Sequence, residues 1–162
     1  ELVKSRIEAV AAAVRTNTGV DFDYKLGVMV ETPRAALRAN EIAINSAFLS
    51  FGTNDLTQMT YGLSRDDAGR FMSTYVQQGV FPEDPFHTLD IEGVGELLRV
   101  GAERARVSNP EVVISICGEH GGSPESIAFC RDHGFDYVSC SPFRVPVARL
   151  AAAQLVILDQ TT

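Results

Sequence analysis

Apolar positions along the chain fall into two alternating rhythms. Leu2, Val3, Ile7, Val10, Ala11 and Val14 lie at helical spacing and predict a helix to about Arg15, broken by Thr16 to Gly19. Tyr24 to Val30 (YKLGVMV) is short, continuous and apolar, as a buried strand is. Thr32-Pro33 starts a helix, because Thr caps free amides and Pro suits the first helical turn; Arg34 to Asn45 carries that helix on. Ala47 to Phe51 (AFLSF) predicts a second strand, closed by Gly52-Thr53-Asn54-Asp55. Leu56 to Tyr61 suits a helical turn, Ala68 to Val76 a short helix, and Gly79 to Pro85 a loop. Ile91 to Val107 predicts a longer helix and Val112 to Ile116 (VVISI) a third strand. Ser123-Pro124 repeats the helix-start signal, for a helix ending at Gly134. Asp136 to Ser139 predicts a fourth strand and Ala148 to Leu158 a last helix.

Strands apolar on both faces and separated by helices imply parallel βα units covered on both sides. An eight-unit (β/α)8 barrel takes typically about 250 residues; this chain has 162 and about half the units. Two architectures follow: a small open α/β sheet, or the C-terminal half of a barrel. The opening Glu1, inside an apparent helix and without an initiator Met, makes a fragment the expectation. No apolar run approaches the roughly 20 residues that span a bilayer, and no leader pattern precedes the first helix, so no membrane partner is expected. Fourteen basic against 21 acidic residues give a net charge of −7, which opposes nucleic-acid binding. Three cysteines without a Cys-x-x-Cys suggest free thiols in a reducing compartment.

The polar residues gather at the predicted strands' C-terminal ends, where parallel α/β folds place their sites. These are Glu31, then Gly52 to Asp55, then Cys117-Gly118-Glu119-His120, then Cys140-Ser141. Four clusters so placed point to one shared site. Glu31 and Asp55 suit a hard divalent cation, which relieves the repulsion of neighbouring carboxylates, and equally suit ordinary helix termini. Gly52-Thr53-Asn54-Asp55 has the composition of a tight turn. Cys117 in a glycine-rich loop near His120 suits an acid or base, and equally a small buried hydrophobe. Cys117, His120, Cys130 and His133 imitate a zinc set, but Cys130 and His133 fall inside a predicted helix, so Cys130 belongs to the core. Arg65 sits in a charged turn, from which a carboxylate or phosphate lies within reach. Arg144 and Arg149 flank the last strand and helix as solvated or structural charges.

Four segments carry a family resemblance: GVMVETPRAAL (27 to 37), FLSFGTNDLTQMTYGLSRDDAG (48 to 69), ICGEHGG (116 to 122) and DYVSCSPFRVPVARLAAAQ (136 to 154). They closely resemble the phosphoenolpyruvate-utilising enzymes, through nearly the whole chain from about Tyr24. The nearest likeness is to the branch that interconverts ATP, pyruvate and phosphate with AMP, phosphoenolpyruvate and diphosphate through a phosphohistidine. Phosphoenolpyruvate synthase and enzyme I of the sugar phosphotransferase system are more distant at His120-Gly121-Gly122 and at SCSPFRVP. The resemblance implies the C-terminal half, about four βα units, of a (β/α)8 TIM barrel. It makes residues 1–162 a partial barrel domain binding pyruvate or phosphoenolpyruvate, without the family's ATP-grasp and phosphohistidine domains. It further implies Mg²⁺ on Glu31 and Asp55, substrate binding by Glu31, Gly52, Thr53, Asn54 and Asp55, and Cys117 as proton donor. Arg65 matches a substrate-contacting Arg of enzyme I. The implied partners are the parent chain's phosphohistidine domain and a second copy through the barrel, in the cytoplasm or, in a plant, the plastid. Alone, the segment is expected to be inactive and to self-associate through unpaired sheet edges, or to serve as a non-catalytic dimerisation module.

Overall fold

The computed structural model describes residues 1–161. Four strands form one parallel sheet in the order β1 (Gly27–Val30), β2 (Phe48–Gly52), β3 (Val113–Cys117), β4 (Tyr137–Val138). A doubly wound sheet reverses its strand order at a switch point, whereas a barrel adds each strand beside the last. The sequential order therefore makes this an α/β fold with a partial, TIM-barrel-like sheet. Register sets Val30 beside Phe51 and Gly52 beside Cys117, so the first three strands end at one level.

Helices α1 (Leu2–Thr18), α2 (Pro33–Leu37), α3 (Ala39–Ala43), α4 (Thr53–Tyr61), α5 (Arg65–Ala68), α6 (Met72–Gln77), α7 (Glu96–Ser108), α8 (Pro124–Asp132) and α9 (Val145–Thr161) surround it. Both Pro-marked starts are capped as expected: Thr32 Oγ1 accepts the Ala35 N–H at 3.1 Å, and Ser123 Oγ accepts the Ser126 N–H at 3.5 Å. Leu49, Phe51, Ile114 and Ile116 share one face of the sheet and are fully buried in a core with residues of α2, α3 and α7. Ala36, Ala39 and Ala43 meet α7 at Leu98, Ala102 and Ala105, small residues that let these helices lie close. Side chains between Leu63 and Phe86 form a second cluster around Ala68, Met72 and Phe86. A third joins Ile127 of α8 to Ala148 and Ala151 of α9.

Three expectations are corrected. The helix foreseen over 34 to 45 breaks at Arg38 (φ −112°, ψ 20°), whose N–H is shared between the carbonyls of Arg34 and Ala35. The strands are not all covered on both faces: on the edge strand β1, Val28 and Met29, which point to opposite faces, are both partly exposed. The fourth strand shrinks to two residues, because Asp136 uses its carboxylate rather than its carbonyl toward β3, taking the Ile114 N–H at 2.7 Å.

Candidate active site

Strand β2 runs straight into α4, so the sequence Gly52 to Asp55 is no tight turn. Thr53, Asn54 and Asp55 form the first turn of α4, and among the described residues no non-glycine takes a positive φ. The strand's buried register and the helix's favourable N-terminal Asp outweigh the turn preference of Gly and Asn. Asp55 is thereby fixed above the middle of the sheet.

Glu31, one residue past β1, crosses the end of β2 because position 52 lacks a side chain. A Cβ on Gly52 would lie 3.0 Å from Glu31 Cβ, 3.2 Å from its Oε2 and 3.4 Å from Met29 Sδ. Cys117 closes the same corner: its Sγ stands 3.6 Å from Met29 Sδ and 3.6 Å from the Phe51 carbonyl. Glu31, Gly52 and Cys117, from three adjacent strand ends, thus lie at one corner. Glu31 has no hydrogen-bond or ion-pair partner among the described residues, whereas Asp55 Oδ1 accepts from Gln58 Nε2 at 3.1 Å.

Glu119 joins this corner as a group that pattern reading did not single out. Its Oε1 accepts from Arg65 Nη2 at 2.6 Å and its Oε2 from Asn54 Nδ2 at 2.5 Å. The hydrogen bond from Arg65, followed by that from Asn54, holds this carboxyl down at about 2, well below the ordinary 4.5. Arg65 therefore does reach a carboxylate, 54 residues further along the chain. The other end of the Asn54 amide, Oδ1, is buried without a hydrogen-bond partner among the described residues. Gly118 makes room beside it with φ +112°, a backbone angle L-residues rarely adopt, and a Cβ there would lie 3.0 Å from Thr53 Oγ1.

His120 is fully buried and does not pair with the Cys117 thiol. A carbonyl only accepts, so Nε2 carries a proton toward the Pro85 oxygen at 2.9 Å, while Nδ1 lies 2.7 Å from Thr53 Oγ1. Thr53 Oγ1 is also 2.9 Å from the Cys117 carbonyl. Burial pushes the imidazole below its ordinary 6.5. His120 thus clamps the 62–90 segment and the start of α4 onto the loop after β3. Cys130 is buried in α8 and its thiol is pushed up to about 12 by burial, as a core position requires. Among the described residues no three His, Cys, Asp or Glu side chains converge as a metal cage. A cleft of about 390 Å³ adjoins Glu119, lined also by Gly118, Ser139, Cys140, Ser141 and Arg144. The sequence placed Glu119 in the cluster after the third strand without a role, and gave Gln58 none, because their partners are set by strand register and helix phase; the local signals were that cluster and the position of Gln58 three residues after Asp55.

A sequentially wound parallel sheet with its polar residues gathered at the strand ends defines a barrel-type α/β domain with a strand-end site. The family model described as "PEP-utilising enzyme, PEP-binding domain" matches residues 1–157, and the chain belongs to this family. Among curated relatives, "Pyruvate, phosphate dikinase" of Rhizobium meliloti (strain 1021) is 60% identical over 157 residues, covering 97% of this chain and 18% of the relative. "Pyruvate, phosphate dikinase, chloroplastic" of Flaveria pringlei is 58% identical over 93% of this chain and 16% of its own. "Pyruvate, phosphate dikinase 2" of Zea mays is 57% identical over 93% of this chain and 17% of its own. The chain therefore spans about a sixth of the length of the curated relatives it matches. No helix among the described residues is long and apolar enough to cross a membrane.

Proposed function

We propose that this chain is the part of a pyruvate, phosphate dikinase barrel domain that binds pyruvate or phosphoenolpyruvate, with Mg²⁺ as cofactor. The placement of Glu31, Asn54, Asp55 and Cys117 at or just past three adjacent strand ends supports this reading. The donors suit the cation: two carboxylates with further places left to water and substrate oxygens are the usual Mg²⁺ arrangement. The buried, unpartnered Asn54 Oδ1 adds an oxygen acceptor, which suits a cation or its water and not an anion. Glu31 and Asp55 would hold the ion. When bound, Mg²⁺ supplies charge stabilisation for the enolate of pyruvate.

Gly52 and Thr53 line the start of α4, where backbone amides and the positive helix end favour a carboxylate. Cys117 is the proposed proton carrier. Its sulfur takes a methyl proton of pyruvate, and the enolate oxygen attacks the phosphorus of a phosphohistidine supplied by another domain. The P–N bond breaks as the O–P bond forms, leaving phosphoenolpyruvate and free histidine. In reverse, the Cys117 thiol returns the proton to the methylene carbon. The same reading brings in the phosphohistidine domain and a second copy as partners, and cytoplasm or plastid as the compartment.

A second reading, a non-catalytic assembly module, draws on the exposed apolar side chains of α1, Leu2, Val3 and Val10. Calorimetric titration with oxalate, an enolate mimic, separates the two. The enzyme reading expects Mg²⁺-dependent binding that Asp55→Ala abolishes. A folded chain that binds no oxalate, or binds it equally without Mg²⁺, overturns it, and ligand-independent dimerisation then favours the module.

A further inference from the structure

A closed circuit of hydrogen bonds surrounds Asp55. Asp55 Oδ1 accepts from Gln58 Nε2 at 3.1 Å, and Gln58 Oε1 accepts the backbone N–H of Arg65 at 2.8 Å. Arg65 Nη2 donates to Glu119 Oε1 at 2.6 Å, and Glu119 Oε2 accepts from Asn54 Nδ2 at 2.5 Å. Asn54 and Asp55 are neighbours in the chain, so the circuit returns to its start. It joins the first turns of α4 and the first residue of α5, neighbours in sequence, to the loop after β3, 54 to 65 residues further on.

We infer that Gln58 and Glu119 are positioning residues, which through this ring fix the orientation of Asp55 and Asn54 for ligand and metal. The inference rests on the binding roles proposed above for those two residues. Each link has a directional consequence. Gln58 donates with its amide nitrogen because its oxygen is already engaged by the Arg65 N–H, so its amide has one orientation. That nitrogen occupies Asp55 Oδ1, leaving Oδ2 without a partner among the described residues. On the other side, Glu119 accepts only, so it selects the NH₂ end of Asn54. The Asn54 oxygen is thereby held in its buried, unpartnered position. Arg65 ties the two halves, since its backbone sets Gln58 and its guanidinium sets Glu119. Groups that orient a ligating carboxylate typically change metal or ligand affinity by about 10–100-fold when removed.

The test uses this chain with Glu119→Gln and Gln58→Met, and probes of Mg²⁺ alone and Mg²⁺ with oxalate. Glu119→Gln presents an NH₂ group where an acceptor stood, and Gln58→Met keeps length without polar atoms. The expected result separates positioning from stability. Both variants weaken Mg²⁺ alone by about 10-fold or more, because each releases a proposed cation-facing oxygen, that of Asp55 in Gln58→Met and Asn54 Oδ1 in Glu119→Gln. Both variants keep a cooperative thermal transition. Equal losses of both probes in step with lowered Tm would mean bulk stabilisation only, and unchanged affinities would also overturn the inference. A ligand-free readout stands beside this: in NMR, the wild-type Asn54 side-chain amide and Arg65 backbone amide protons exchange slowly, Glu119→Gln releases the first and Gln58→Met the second. Wild-type amides that exchange as in free solvent overturn the ring itself. A wild type that binds no oxalate overturns the proposed function, while the amide signals still decide whether the ring exists.

Discussion

Glu31 and Asp55 stand at the ends of neighbouring strands, yet the chain holds them by different means. Asp55 rises from β2, whose Leu49 and Phe51 are fully buried, and it belongs to a ring with Gln58, Arg65, Glu119 and Asn54. Glu31 follows β1, an edge strand whose Val28 and Met29 are 39% and 46% exposed, and no described residue pairs with it. Buried strands transmit their register to the groups at their ends, so the sheet's centre arrives with its site geometry fixed. The edge delivers its carboxylate on one short strand, to be steadied by a ligand or by whatever lies beside β1. Of two proposed ligands, one is thus set by folding and the other by binding.

The largest effect lies at the centre. Phe51 is fully buried and meets the Phe135 ring edge-on, with centroids 5.7 Å apart. Phe51→Ala is expected to lower unfolding free energy by about 3–5 kcal/mol, as urea denaturation would read. A smaller loss would mean that the core collapses to fill the gap, and that the centre is less rigid than its burial implies.

Where the two regions touch, Gly52→Ala sets a methyl group against Glu31 Cβ at 3.0 Å. Crowding of this kind costs about 1–3 kcal/mol where neighbours are fixed. The edge location of β1 lets Glu31 give way, so the low end is expected in denaturation, together with weaker Mg²⁺-dependent oxalate binding. A full 3 kcal/mol loss would show that the edge is held as firmly as the centre.

Acid separates the groups that tie the centre together. His120 is held neutral by burial below its ordinary 6.5, so below pH about 6.5 the unfolded chain takes up a proton that the folded chain refuses. Stability is therefore lost as pH falls from about 6.5, with a slope no steeper than about 1.4 kcal/mol per pH unit for one group. Glu119, held down at about 2, stabilises fully above its ordinary 4.5, and that contribution fades as pH falls from 4.5 toward 2. Urea midpoints measured across pH should show both declines. His120→Asn should flatten the upper one and Glu119→Gln the lower one, and a variant that leaves its decline intact would remove that group from the account.

The same division explains what the sequence made legible. Four strands in order, the Thr32-Pro33 and Ser123-Pro124 caps and the core placement of Cys130 are local signals, carried by periodicity and by neighbours along the chain. The break at Arg38 has no helix-breaking residue to mark it. The entry of β2 into α4 at Gly52 was hidden by a Gly-Thr-Asn-Asp string that suits turns. Glu119 meeting Arg65 and Asn54 is a product of register and of how α5 packs, and no spacing rule reaches across 54 or 65 residues. The resemblance named the residues expected to touch ligand, but not the groups that orient them.

The smallest expected effect tests the edge directly. Val28 sits mid-strand on β1, paired through its backbone with Leu49 while its side chain remains 39% exposed. Part of that side chain is covered, so Val28→Ala is expected to cost about 0.5–1 kcal/mol, the same at every protein concentration. The backbone ladder then fixes strand direction, and the exposed part of the Val28 side chain adds nothing further. A loss of about 1–2 kcal/mol that grew with protein concentration would show the opposite. The β1 face would then be buried against a second copy in solution, and Glu31 would owe its position to that contact as well as to ligand.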